Sequence, residues 1–127
     1  MRHALLLPAM LLTATLTATG ASAQRGTENR CGWYENPTPA NHWLTDRTRT
    51  WTIGTQGGFQ ARGIDRIGEA PRGRWVATHP NGSYGYGCAC AQVRTNPRNG
   101  LITQIMSWRY APLAQCRGDR RLREPRN

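Results

Sequence analysis

The chain has 127 residues, with 17 arginines, no lysine and seven acidic groups, for a formal net charge of +10. That length holds one domain, and no apolar stretch reaches the about 20 residues that a helix needs to cross a bilayer. The all-arginine bias reflects base composition as much as chemistry, so charge by itself names no partner.

The first segment carries a short positive start (Arg2, His3), an apolar run from Ala4 through Leu16 and a small-residue exit, Ala21-Ser22-Ala23. These are the three parts a signal peptidase reads, so residues 1–23 are expected to be a cleavable secretory signal. With no cysteine near the cleavage point, no lipid anchor is expected there. The mature chain then begins at Gln24, keeps a charge of +9 once Arg2 is lost, and is exported to the periplasm or the medium, not membrane-spanning after cleavage.

Residues 24–30 are polar and read as a flexible lead-in, and residues 31–116 as a disulfide-stapled β domain. Glu35 to Asn41 contains Pro37 and Pro39, which remove donors and constrain their predecessors, so it is expected as a rigid surface loop. Trp43 to Thr45 reads as a short strand, and Thr50 to Thr55 alternates, with Trp51 and Ile53 on one side. Gly57-Gly58 is a turn, from which Phe59 to Ala61 is expected to return as a strand. Ile64 to Gly73 shows no period and reads as a mobile connection. Trp75 to Thr78 is a strand that stops at the turn-rich His79 to Gly82.

Ser83 to Arg94 is the clearest strand. Tyr84, Tyr86, Cys88 and Cys90 share one face; Gly85, Gly87, Ala89, Ala91 and Val93 share the other. The small face leaves room for a large aromatic against the backbone, and the absence of charge from 84 to 91 marks a strand covered on both sides. Thr95 to Gly100 is a turn, and Leu101 to Tyr110 returns from it to make a long hairpin. Strict alternation there puts Ile102, Met106, Trp108 and Tyr110 on one face, with Leu101, Ile105 and Ser107 on the other. Residues 117–127 form a basic C-terminal tail in which Arg117 to Arg123 has room for one helical turn. The expected fold is all-β: a small antiparallel barrel or sandwich of about five to seven short strands, with two disulfides and little helix outside the signal.

Aliphatic residues are sparse, and a domain this small has a marginal core. Cys31, Cys88, Cys90 and Cys116 in an exported chain form a disulfide framework by default. Cys88 and Cys90 point to the same face of one strand, poor geometry for a bond to each other. Each therefore pairs with Cys31 or Cys116, in either order. Each bridge closes a loop of tens of residues, worth about 3–4 kcal/mol in the chain-entropy account. A zinc or copper site is the competing use of these cysteines, and the oxidising address disfavours it. A thiol-redox role needs an exposed thiol, which the strand setting disfavours.

Cys31-Gly32-Trp33, Asn36-Pro37-Thr38-Pro39-Ala40-Asn41, Trp51-Thr52-Ile53 with Gln56-Gly57-Gly58, Asn81 through Cys90, and Pro112-Leu113 ahead of Gln115-Cys116 form an ordered motif set. From about Arg30 to about Leu122 the chain resembles the small exported bacterial proteins of the domain of unknown function 4087 family. The resemblance implies a signal peptide, one domain and four cysteines, and no activity.

Trp33, Tyr34, Asn36, Asn41, His42 and Trp43 bracket the double-proline loop and are the candidate recognition residues, since rings stack on ligands and stiff loops carry function. The competing reading is that the tryptophans fill the core and the asparagines serve as turn formers. Arg117, Arg120 and Arg121 come second, as binders of envelope phosphates, against the alternative of a frayed, solvated terminus. Arg117-Gly118-Asp119 spells an integrin tripeptide by chance. Catalysis has little to stand on. His42 and Asp46 lie four apart and Ser83 and Ser107 are present, but nothing places a base beside a nucleophile. Glu35, Asp46, Asp65 and Glu69 show no spacing that argues for a shared site. No cofactor or metal is expected, and nucleic acid is an unlikely meeting for an exported protein. The expected function is a non-enzymatic binding module for an anionic envelope component or a protein partner. The alternatives are an inhibitor of an exogenous hydrolase and a small envelope enzyme.

Overall fold

The computed structural model describes residues 26–126. The signal at 1–23 lies outside the described residues, as does the start of the lead-in. Six strands, β1 (Glu28–Asn36), β2 (His42–Thr45), β3 (Thr50–Gly54), β4 (Val76–Ala77), β5 (Gly85–Asn96) and β6 (Leu101–Ala111), precede one short helix, α1 (Leu113–Arg117). The sheet runs β1-β2-β3-β6-β5-β4, and β1 also pairs with β5 along its whole length, from Glu28 opposite Val93 to Asn36 opposite Gly85. The first five strands of that order therefore close into a barrel, with β5-β1-β2-β3 in Greek-key arrangement. Closure removes the edges that a small exposed sheet would present.

The seam between β3 and β6 is parallel, the one departure from an antiparallel barrel. Thr52 N–H donates to Gly100 O, Arg62 N–H to Thr103 O, and Ile105 N–H to Arg62 O. Residues 62–67 are thus held against β6, with Ile64 and Ile67 on the core and a 3-10 turn at Ile64–Arg66. The segment expected to be a mobile connection is anchored because its own backbone completes the barrel seam. Phe59 to Ala61 makes a single bridge, Gly54 with Gln60, in place of the expected strand.

Other boundaries move for similar reasons. The lead-in becomes strand from Glu28 onward, because β5 is long enough to pair with it. Glu35 and Asn36 are strand residues, and the proline loop is confined to 37–41. In the β5–β6 hairpin the register shifts between Gln92 and Val93 and again between Arg94 and Thr95. Val93 faces Ile105 while Gln92 faces Ser107, so Met106 is the extra residue of a bulge. The second shift leaves Thr103 as an extra residue and so brings Ile102 and Ile105 onto the same buried side, while the first leaves Met106 exposed, against strict alternation.

The two faces of β5 cover two cores, as its uncharged sequence implied. Inside the barrel, Ala89, Ala91 and Val93 pack with Tyr34, Leu44, Trp51, Ile53, Ile102 and Ile105. Outside it, Tyr86 and Cys88 pack with Trp33, Ala111 and Cys116, and Leu113 and Leu122 cover them. The disulfides are Cys31–Cys90 and Cys88–Cys116, which settles the pairing order. The second bridge ties α1 to β5, so residues after Arg117 are carried back onto the barrel. There Leu122 packs, Arg117 binds Glu124, and Tyr86 Oη donates to Glu124. The tail is a docked cover, and its helical turn lies at Leu113–Arg117, before the expected place.

Candidate functional site

The interior-facing residues of β1 run from Glu28 and Arg30 at one end of the barrel to Tyr34 and Asn36 at the other, and the two ends differ in chemistry. At the first end Asp46 folds inward beneath Gly32, where any Cβ would run into the Thr45 carbonyl. Asp46 Oδ1 accepts from Thr48 N–H, Thr48 Oγ1 and Arg49 N–H; Oδ2 accepts from Trp51 Nε1 and from Arg30 at 2.9 Å. Arg30 and Arg49 each lie over the Trp51 ring, 4.6 and 4.7 Å from its centroid. Burial pushes the Asp46 carboxyl up, but the hydrogen bonds from Thr48 Oγ1, the Arg49 and Thr48 N–H groups and Trp51 Nε1 outweigh it and hold the group at about 2. This polar plug closes the barrel. The cleft beside it, about 650 Å³, is lined by Arg30, Arg47 and Arg120, yet Asp46 and Asp119 are there too. Arg47 already pairs with Asp119 at 2.6 Å.

The other end is open. Tyr34, 3% exposed, forms its floor. Around the Tyr34 ring stand Trp108 at 4.9 Å edge-on, Trp75 at 5.9 Å, Tyr110 at 6.2 Å, and His42 stacked at 6.1 Å. Tyr34 Oη is 2.8 Å from His42 Nδ1. Burial raises the phenol and lowers the imidazole, so both are neutral near neutral pH. With the phenol as donor, the imidazole proton sits on Nε2. Burial also lifts Tyr110 to about 12.

One wall of this mouth is the segment from Ile67 to Trp75. It is pinned by Tyr110 Oη donating to Gly68 O at 2.9 Å and by Arg74 Nη1 donating to Tyr110 O at 2.7 Å. Trp75 lies against β5 because Gly87 has no side chain; a Cβ there would meet Trp75 Cε3 at 3.2 Å and Tyr110 Cδ1 at 3.4 Å. This is the large aromatic that the small face of β5 called for. Asn81 to Ser83 form the far rim, and the enclosed space is about 560 Å³. That volume lies within the range of small-ligand pockets, which favour barrel mouths. No arginine lines it and Glu69 is its one acid.

Of the residues singled out from sequence, Tyr34, Asn36 and His42 come together in this mouth. Trp33 is 0% exposed on the opposite side of β1, edge-on to Tyr86, and belongs to the outer core. The error has a simple origin: neighbours in a strand face opposite ways. Trp43 is half-buried on the outer face of β2 and donates its Nε1–H to Glu35. Burial raises Glu35, an effect that the Trp43 hydrogen bond partly offsets. Asn36 Nδ2 staples the loop through Thr38 O and Asn41 O, and Asn41 binds Thr38 Oγ1 and Gln56 N–H. Arg117 is occupied by Glu124, Arg120 lines the opposite cleft, and the Arg121 backbone N–H caps Asp119. Trp75, Tyr110, Glu69 and Ser83 complete the mouth from sequence positions far from the proline loop. Only the glycines of β5 signalled any of them.

The fold and site define a disulfide-stapled Greek-key barrel with one plugged end and one aromatic, open mouth. The chain belongs to a family described as proteins of unknown function (DUF4087), whose model matches residues 25–123. The resemblance carried by its cysteine and glycine motifs is thereby shown. No curated protein and no solved structure matches it.

Proposed function

We propose that the mature chain is an exported, non-enzymatic binding module that grips an envelope component in the barrel mouth. The observation that carries this is the mouth itself: a concave site of about 560 Å³ with a rigid aromatic floor and a rim of exposed amide, hydroxyl and carboxylate groups. Two disulfides favour an oxidising compartment, and no helix among the described residues is long and apolar enough to cross a membrane. The non-catalytic reading rests on how the polar groups are used. Among the described residues no carboxylate hydrogen-bonds to His42, whose Nδ1 is taken by a neutral phenol.

The arginines have a separate part in this reading. Among the described residues only Arg30, Arg47 and Arg117 sit in ion pairs. The remaining positive surface attracts the protein to an anionic envelope without selecting a ligand. Sedimentation of the oxidised protein, residues 24–127, with isolated cell-wall and lipopolysaccharide fractions tests this at low and moderate salt. Association should weaken with salt as the Coulomb part is screened, yet a salt-resistant part should remain and be lost on blocking the mouth. Absence of association with any fraction at low salt would overturn the proposal.

A further inference from the structure

Resting on the mouth as the recognition site, we infer that its occupant is a neutral pyranose ring of an oligosaccharide. Three observations point this way. First, the lining is free of arginine in a chain of net charge +10, so an anionic group finds no counter-charge there. Three other clefts among the described residues carry arginine: Arg30, Arg47 and Arg120 in one, Arg109 in another, and Arg94 and Arg98 in a third. Charge selection thus belongs elsewhere on the surface, and the mouth selects by shape and hydrogen bonding.

Second, Trp75 and Tyr110 are half-buried and pinned, standing 6.3 Å apart and nearly perpendicular. Fixed rings cost little entropy to use, and they present apolar faces to the C–H side of a sugar. Third, the polar side chains of the mouth are a set that suits sugar hydroxyls, each both donor and acceptor: the Glu69 carboxylate, the Ser83 hydroxyl, the Asn81 amide N–H and His42 Nε2.

Titration of the oxidised protein with neutral chitohexaose, cellohexaose and maltohexaose, followed by tryptophan fluorescence and calorimetry, tests this. At least one should bind, with a Kd that changes less than about two-fold between roughly 50 and 500 mM NaCl. Trp75→Ala should weaken binding about ten-fold or more. Since Trp75 also packs against the core, Ser83→Arg serves as the second variant: it sits on the exposed rim, leaves the fold intact and should abolish binding. Failure of all three sugars overturns the carbohydrate inference. If Ser83→Arg then still removes the salt-resistant envelope association, the mouth stands with another occupant, such as a protein. A sugar bound equally well by both variants overturns the mouth reading as well.

Discussion

Asp46→Asn isolates the polar plug. The substitution keeps the shape but replaces one oxygen with an NH2 group, at a site where all five neighbouring contacts are donors. Either amide orientation sets N–H against N–H, and Arg30 keeps only Glu28 as a charged partner. Lowering Asp46 from 3.8 to about 2 corresponds to roughly 2.5 kcal/mol of stability at neutral pH, at about 1.4 kcal/mol for each pH unit. Including the misdirected amide, the variant should lose about 3 kcal/mol. The sign with pH follows from a depressed carboxylate: its contribution is complete above about pH 4 and disappears as pH falls through about 2. Urea unfolding followed by tryptophan fluorescence at pH 7, 5, 3 and 2 measures it. The gap between wild type and variant should be constant at pH 7 and 5, then narrow to less than about 1 kcal/mol near pH 2. A gap that stays constant to pH 2, or no gap at pH 7, would refute the charge-based account.

Three further outcomes follow from named contacts. Gly32→Ala puts a methyl group into the Thr45 carbonyl and should cost about 1–3 kcal/mol in the same unfolding assay, whereas Gly57→Ala, which meets no neighbour within 4 Å, costs only its backbone strain. Because burial lowers His42, the unfolded chain takes up the proton first as pH falls below about 6.5; stability should drop between there and the folded value, and His42→Gln should remove that drop. Cys31 is exposed while Cys88 and Cys116 are 0% and 1% exposed, so mild dithiothreitol followed by alkylation mapping should label Cys31 and Cys90 first, and simultaneous opening of both bridges would contradict the packing.

Much of this molecule is local in origin and therefore readable from the chain. The alternation of β5, the turn at 95–100, and the impossibility of a Cys88–Cys90 bond all depend on neighbours within a few residues, where stereochemistry acts directly. So does the proline loop, although its first two residues were claimed by pairing with β5. What needed the tertiary structure is whatever depends on which strands meet. Closure between β1 and β5, the parallel seam through Arg62 and the shift that turns Met106 outward and Ile105 inward are long-range pairings with no local signature. The site shows the same division. The chain marked Tyr34, Asn36 and His42 as candidates beside a stiff loop and asked for an aromatic against Gly87. Folding alone decided that Trp33 faces the outer core, that Trp75 and Tyr110 complete the mouth, and that the arginines lie elsewhere, because only barrel closure determines which side of each strand is inside.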